Sequence, residues 1–508
     1  MLVPMAVLIS VAEAAGKAKH VVIVVMDGLR PDSITAVEMP NLAALAGSGT
    51  FFANHHSTYI STTEGNAAAL ATGMQPRRGG IIGNREYRPE IDPLLPVDTQ
   101  GAWNVWKGDQ LSGGKWVAAE TLPEIVRRRG GKTAVAGTKE VALLWDRHIE
   151  GRTADGVDVF GGEVIPGELR DQIVAKLGPL PPAKDGRYFS NNDQDLWTTQ
   201  VLIEKLWVRG LPTLSVLWLS EPDYAQHSSG PGSPVARLAL RNSDKCLGRM
   251  LAALDATGQR GDTDVFVVSD HGFSTIAQGV AVQSDLAQQG LNVGGGFLDE
   301  PQRGSILMVG LGGSMLFYVI DHDRAIATKL VNYLQTTSYA GVIFSRDGLE
   351  GTFPLSQAGI DVPSAPDVIL SMRWGAGTLP RAGAMPGLLI IDASNSAVGL
   401  GMHGSLSRFD MHNTLVAAGP DFKVGFKSAT PSGNSDLAPT ILDILGMAPD
   451  EAMDGRVLSE AYVAAGQEAP QVETQTIHAS RASWQQYLKI SKVGPQAYLD
   501  EGNAGDGK

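Results

Sequence analysis

Three apolar runs that end in carboxylates limit what this chain can fold into. His20-Val21-Val22-Ile23-Val24-Val25-Met26 runs into Asp27-Gly28, and the stretch 214–219 runs into Ser220-Glu221-Pro222-Asp223. The third, Asp264-Val265-Phe266-Val267-Val268, runs into Ser269-Asp270-His271-Gly272. A β-branched run that is apolar on both faces suits a central strand of a parallel sheet covered by helices. Ligands in such sheets gather at the carboxyl ends of the strands. Three strands delivering acids to that end therefore predict one shared site in an α/β fold.

The rest of the chain is organised around these runs. Its 508 residues fit one large α/β domain carrying an inserted subdomain. With 43% hydrophobic and 19% charged residues, it can bury a sizeable core and is not a disordered chain. Helical patterns lie at 121–129 and 234–254, and the core pattern returns at 413–418 and 436–445. Between 276 and 400 the composition loosens into Gly-rich loops with short strands near 305–309, 314–319 and 368–371. The expected organisation is a leader at 1–15, a core from 16–275 and 400–465, an inserted cap at 276–399, and a polar tail at 466–508. The tail is expected to wrap the surface or fray.

Charge and cysteine content exclude several functions. A net charge of -13 argues against polymeric nucleic-acid binding through a basic surface. It leaves room for a small anionic substrate, because bound cations can reverse the sign locally. The single cysteine, Cys246, allows neither an intrachain disulfide nor a zinc–thiolate cluster. An apolar run at 2–11 followed by Ala12-Glu13-Ala14 resembles an export leader, although the basic n-region is missing. No later stretch has the roughly 18 uninterrupted apolar residues of a membrane span. The expectation is an exported protein, periplasmic or extracellular, without a membrane span.

Six groups stand out as ligand candidates. Asp223 and His227 are four apart, which puts both side chains on one face if the segment turns helically. Asp270 and His271 are adjacent after a strand, and Asp27 and His403 add a third pair. Three carboxylates and three imidazoles suit Zn²⁺, with Mn²⁺ or Fe²⁺ also compatible. Two such ions about 4 Å apart would clamp the attacking and leaving oxygens of a phosphoryl transfer. Any one of the six has a structural reading as a cap or a core histidine. His55-His56 is a further conceivable metal pair, but adjacent side chains on an extended segment point oppositely. His412 is a further histidine near His403.

These residues sit in motifs that resemble the alkaline phosphatase superfamily, and within it the nucleotide pyrophosphatase/phosphodiesterase branch. The matching segments are Val24-Val25-Met26-Asp27-Gly28-Leu29-Arg30-Pro31, Met39-Pro40-Asn41-Leu42 and Ser61-Thr62-Thr63-Glu64-Gly65-Asn66. Ala71-Thr72-Gly73-Met74-Gln75-Pro76 and Gly80-Ile81-Ile82-Gly83-Asn84 follow, then the two Asp/His pairs and His403-Gly404. By these motifs the resemblance spans about 18–275 and 399–447 and leaves out the insertion. It implies a central, mostly parallel β-sheet with helices on both faces and an inserted cap. It also implies a two-zinc hydrolase, with one ion on Asp223, His227 and His403. The second would sit on Asp27, Asp270 and His271, with the Thr63 oxygen at its open position. Thr63 would then be the nucleophile, passing through a phospho-threonine, and Asn84 would contact phosphate. Thr62 and Thr58 are neighbouring threonines a slipped register would select.

The substrate expectation follows from departures. Where the family has an aromatic, Pro, Asn and His after the nucleophile, this chain has Glu64-Gly65-Asn66-Ala67, so the aromatic of a base-binding slot is missing. A related phosphomonoesterase group carries Lys-Xaa-Arg; here Lys139 matches the lysine and Val141 replaces the arginine. Loss of that bidentate fork tilts the expectation toward a monoanionic diester, with Lys139 still available to phosphate. The alternatives are a phosphomonoesterase, a phosphonate hydrolase, or a metal-holding protein without turnover. No Cys/Ser-Xaa-Pro-Xaa-Arg sulfatase pattern lies near the nucleophile. Tyr87 and the Trp-rich stretch from Trp103 to Trp116 are candidate pocket walls or core.

Overall fold

The computed structural model describes residues 16–147, 156–182, 190–381, 383–393, 397–449, 451–464 and 469–507. The expected leader at 1–15 lies outside the described residues. The central sheet contains nine strands: β1 (His20–Met26), β2 (Thr50–Phe52), β3 (Thr133–Gly137), β4 (Gly156–Phe160), β5 (Glu163–Ile165), β6 (Leu214–Leu219), β7 (Thr263–Val268), β8 (Leu415–Ala418) and β9 (Phe426–Ser428). Their spatial order is β9-β2-β8-β7-β1-β6-β3-β4-β5. Strands β7, β1, β6, β3 and β4 run parallel, and β5 and β8 pair antiparallel with their neighbours. In register, Val24 stands opposite both Leu217 and Val267, so the three acid-bearing strands end together.

Alternation along β1 divides the core. Val21, Ile23 and Val25 pack on one face with Trp218, Phe266 and Val268. Val22, Val24 and Met26 pack on the other with Leu217, Val265 and Val267. Successive strand side chains point to opposite faces, and helices cover both. Four helices matter for the site: α1 (Thr63–Thr72), α2 (Asp223–Ser229), α3 (Pro234–Ala256) and α4 (Leu437–Ile444). Helices α1 and α4 cover the first face, while α3 lies on the second with the buried Cys246. Every residue of α1 is buried, which its small side chains (Gly65, Ala67, Ala68, Ala69, Ala71) permit.

The stretch expected as an insertion builds sheets of its own. Ile306–Gly310, Ser314–Val319, Ala340–Ser345 and Val368–Met372 belong to a six-stranded sheet, backed by the helix Arg324–Leu334. This sheet packs directly on core residues Tyr59, Ile60 and Ile82, and a separate four-stranded sheet lies beside the metal-ligand turns. In that sheet Ser274–Val280, which leaves the Asp270-His271 turn, pairs antiparallel with Gly401–Met402, just ahead of His403.

The C-terminal region, expected to wrap the surface or fray, is an ordered sheet packed on the rest of the chain. Val472–Arg481, Trp484–Val493 and Gln496–Ala504 form a three-stranded antiparallel sheet. Trp484, Leu488, Ile490 and Tyr498 are buried, and Gln486 exchanges two hydrogen bonds with the Ile343 backbone. The overall polarity of the stretch hid the sheet, because polar residues such as Gln486, Ser491, Asp500 and Glu501 are buried beside the apolar ones.

Candidate metal centre

Each acid-bearing strand ends in a different device. After β1 the chain turns at Gly28 (φ 68°), where a Cβ would stand 3.0 Å from the Phe273 ring and 3.1 Å from the Asp223 Cβ. Only glycine allows Asp27 and Asp223 to approach across that gap. After β6 the chain turns directly into α2, with Asp223 as its first residue and His227 one turn on. His227 Nε2 lies 3.2 Å from Asp223 Oδ1, as the four-residue spacing implies. After β7, Asp270 and His271 follow without a helix. His403 arrives from the Gly401–Met402 strand; Gly404 (φ 96°) follows it, where a Cβ would fall 2.3 Å from the Leu311 carbonyl.

The six groups form two triads. Asp223, His227 and His403 each place one ligand atom within 4.8 Å of the others, as do Asp27, Asp270 and His271. His403 Nε2 is 3.6 Å from Asp223 Oδ1. His271 Nε2 is 3.3 Å from Asp270 Oδ2 and 3.6 Å from Asp27 Oδ1. The triads adjoin, since His271 Nε2 is also 4.0 Å from Asp223 Oδ1 and its ring stacks on His403 at 3.6 Å.

The surrounding hydrogen bonds fix which atoms face inward. His227 Nδ1 donates to the Gly401 carbonyl, His271 Nδ1 to Gly272 and His403 Nδ1 to Ser61. A carbonyl only accepts, so each Nε2 keeps its lone pair toward the centre. This is how outer partners orient ligating histidines. The carboxylates are treated alike. Trp218 Nε1 donates to Asp27 Oδ2 and the Gly28 amide to Asp270 Oδ1. The other oxygens, Asp27 Oδ1, Asp223 Oδ1 and Asp270 Oδ2, are buried without a hydrogen-bond partner. Orphaned buried carboxylate oxygens facing imidazole lone pairs fit divalent cations, which would satisfy both. Phe273, beneath His227 and His403 at 4.9 and 5.2 Å, keeps the floor apolar.

Electrostatics agree. Burial, then Asp270, pushes the Asp27 carboxyl well above its usual range. Burial raises Asp270 to about 7. Burial also opposes charge on Asp223, yet Lys139 and His227 hold it well below the carboxylate range. Burial and the neighbouring imidazoles of His271 and His227 push His403 well below its ordinary value. Asp223 in turn raises His227 against the effect of burial. Asp27 and Asp270, crowded acids that resist ionising beside the unprotonated His271 and His403, are the state a bound cation would relieve.

The remaining expected residues fall around the triads. Thr63 opens α1 and its Oγ1 lies 3.3 Å from His271 Nε2. Thr62 is the extended residue before that helix, and the Thr58 backbone is tied to Asn66. Asn84 Oδ1 accepts from the Glu64 amide at 3.3 Å. Lys139 Nζ is 2.8 Å from both Asp27 Oδ2 and Asp223 Oδ2, so it bridges one acid of each triad. Of the candidate walls, Trp116 is buried and donates to the Thr99 carbonyl. Tyr87 packs edge-on against Phe297 and Tyr318, and Trp103 is exposed. Trp218, Phe273 and Ser61 escaped the sequence reading. Phe273 follows the Asp-His-Gly motif directly and Trp218 is the penultimate residue of a recognised strand, so proximity to motifs was the available signal.

A parallel-centred α/β sheet whose strand ends gather these two triads has the architecture of the alkaline phosphatase superfamily. The family model of type I phosphodiesterase / nucleotide pyrophosphatase matches residues 21–405, and the chain belongs to that family. The match runs across 276–399, where the motifs had offered no resemblance, and stops short of the expected 447. Human ectonucleotide pyrophosphatase/phosphodiesterase family member 1 is 25% identical over 239 residues, 46% of this chain and 21% of that protein. Venom phosphodiesterase CdcPDE of Crotalus durissus collilineatus is 24% identical over 257 residues, 50% of this chain and 26% of its own. The chain thus spans about a quarter or less of these two relatives. Mouse bis(5'-adenosyl)-triphosphatase enpp4 is 21% identical over 85% of this chain and 78% of its own. Murine ectonucleotide pyrophosphatase/phosphodiesterase 5, solved as an inactive variant in complex with AMP, has the same fold. Its TM-score is 0.60 at 16% identity, covering 87% of this chain and 100% of that one.

Proposed function

We propose that the chain is a metal-dependent phosphodiesterase that works through a phospho-threonine on Thr63. One observation carries the reading: Thr63 Oγ1 sits at the N-terminus of a buried helix, 3.3 Å from His271 Nε2, where the two triads adjoin. Two divalent ions, Zn²⁺ in this reading, held by Asp223, His227 and His403 and by Asp27, Asp270 and His271, would supply Lewis acidity to the phosphoryl oxygens and favour the Thr63 alkoxide.

The chain's own residues do the rest. Thr63 Oγ1 gives its proton to solvent and forms a bond to phosphorus as the bond to the leaving alcohol breaks. The α1 N-terminus places backbone N–H groups and the positive end of the helix dipole beside the charge that develops. Asn84 uses its acceptor end on Glu64, which leaves Nδ2 as the donor for a non-bridging oxygen. Water then attacks phosphorus from the opposite side and the bond to Thr63 Oγ1 breaks, returning the hydroxyl.

The substrate is a small phosphate ester. Glu64, at the position of the family's aromatic, is buried, and burial followed by Asp98 raises its carboxyl well above the usual range. A carboxyl there favours a polar leaving group over a stacked base. A second reading, phosphomonoesterase, is favoured by Lys139, whose amine reaches both triads and could meet a dianion. We also propose that 276–399 acts as a cap shaping the pocket and that 1–15 directs export. No helix among the described residues is long and apolar enough to cross a membrane.

The test is a paired assay on bis(p-nitrophenyl) phosphate and p-nitrophenyl phosphate, with Zn²⁺ added or chelated. The diester rate is expected to exceed the monoester rate, to vanish on chelation and to return with Zn²⁺. Thr63→Ala is expected to lower kcat on the order of 10³-fold or more while still binding metal. A dominant monoester rate selects the second reading, and full activity of T63A removes Thr63 from the mechanism.

A further inference from the structure

A third group of ligating side chains lies apart from the two triads: His56, His412 and Asp500, each placing one ligand atom within 4.8 Å of the others. We propose that these residues form a further transition-metal site, of the kind that takes Zn²⁺, which clips the C-terminal sheet to the core.

The sequence argument against a His55-His56 chelate holds, and it is also what creates this site. The strand His55–His56 is extended and pairs with Ser432–Gly433, so the two rings leave in opposite directions. His55 turns to Ser432 Oγ and Asn434 Oδ1. His56 turns the other way, toward His412 and Asp500, whose rings and carboxylate come from distant parts of the chain.

The local hydrogen bonds prepare the ligand atoms. His56 Nδ1 is 2.9 Å from the Ser432 carbonyl, which only accepts, so Nδ1 carries a proton and Nε2 is the ring atom left facing Asp500. Ser491 Oγ donates to Asp500 Oδ2 at 2.8 Å, which turns Oδ1 toward the histidine. Tyr498 stacks on the His56 ring at 5.7 Å, and its own hydroxyl is held by Asp436. These are the outer contacts that orient metal ligands.

What remains is an unmet demand. His56 Nε2 and Asp500 Oδ1 are 2.8 Å apart, yet both are buried without an aligned hydrogen-bond partner. An imidazole lone pair facing a carboxylate oxygen is repulsive unless something positive stands between or beside them. The His412 ring, 4.4 Å from that of His56, adds a second imidazole on the same side. Two nitrogens and one oxygen without a thiolate suit Zn²⁺, whose bonds of about 2.0–2.1 Å put tetrahedral ligand atoms about 3.3 Å apart. His412 is half-buried and lines, with Asp500, Asn54, Thr474 and Lys489, a cleft of about 450 Å³ that gives water access to a fourth position.

The consequence is mechanical. Asp500 belongs to the terminal sheet, whereas His56 precedes the loop that leads into Thr63 and His412 follows the turn packed on Gly272. Both His412 and Asp500 lie beyond residue 405, where the family match ends. The clip therefore ties a C-terminal addition to the backbone that carries the catalytic centre.

The experiment uses the full chain, stripped of metal, reloaded with Zn²⁺, desalted and counted for zinc by mass spectrometry. His412→Ala and Asp500→Asn are each expected to hold one zinc per chain fewer than the natural sequence and to lose most of the zinc-dependent rise in Tm. Counting by difference keeps this result separate from the fate of the catalytic reading. Equal zinc in variants and natural chain overturns the proposal and leaves a proton-mediated His56–Asp500 pair. If the variants do not fold, zinc-edge anomalous diffraction from crystals of the natural chain decides: a peak within bonding distance of His56 Nε2 and Asp500 Oδ1 is expected, and its absence overturns the site.

Discussion

In the proposed mechanism Thr63 is reactive by position, because an ordinary hydroxyl would gain its chemistry from being the first residue of a buried helix beside the triads. Asn84 and Lys139 act at the same scale. Asn84→Ala is expected to reduce kcat by about 10²–10³-fold with little change in metal content, the loss typical of one donor to developing charge. Asp223→Asn removes the charge of the carboxylate that meets His227, His403 and Lys139, so bound metal and activity should fall together. Lys139→Ala is expected to lower kcat/KM by about 10–100-fold, the range for a charged hydrogen bond. If Lys139 serves a dianion, that loss is larger on the monoester than on the diester. The candidate ligand residues were legible in the sequence because each sits at a strand end or at a four-residue spacing. Trp218, Phe273 and the three carbonyls that orient the histidines were not, since they act through contacts that no local pattern records.

At the scale of elements, the Asp-His turn after β7 depends on a close approach. A Cβ on Gly272 would stand 2.0 Å from the Phe409 carbonyl and 2.7 Å from that of His412. Gly272→Ala must displace backbone, so a stability loss of about 1–3 kcal/mol is expected together with weaker metal binding, read by denaturation and zinc content. Strand β7 carries a second marker at its other end. Burial, followed by Asp421, pushes Asp264 up to about 8. A carboxyl raised on folding contributes stability that is complete below its unfolded value near 4 and is lost as pH rises through about 8. Urea midpoints should therefore fall between pH 5.5 and 8.5, by at most about 1.4 kcal/mol per pH unit from this group. Asp264→Asn should flatten that slope. Elements with a strong period, such as β1 and α3, were visible in the chain. The terminal strands were missed because buried polar side chains among their apolar ones dilute the apolar signal.

For the whole molecule, the terminal sheet joins parts that are remote in sequence. Gln486 bonds to Ile343, Trp374 Nε1 donates to Gly502, and Tyr498 reaches Asp436 in the core. Deleting residues 466–508 strips cover from Trp484, Leu488 and Ile490 and their partners, at about 1.5–3 kcal/mol for each large apolar side chain. The shortened chain is expected to melt at lower temperature and to aggregate, as followed by scattering during a thermal ramp. The chain by itself determined the α/β class, the three strand ends and the identity of the acids and imidazoles, because β-branched runs and motif spacings are local. Only the tertiary structure decided how they meet. Pairing of Ser274 with Met402 folds out the long intervening segment and sets His403 against His271. The same holds for His56, His412 and Asp500, which no spacing connects. Contacts across hundreds of residues depend on sheet register and burial, and those are properties of the packed chain.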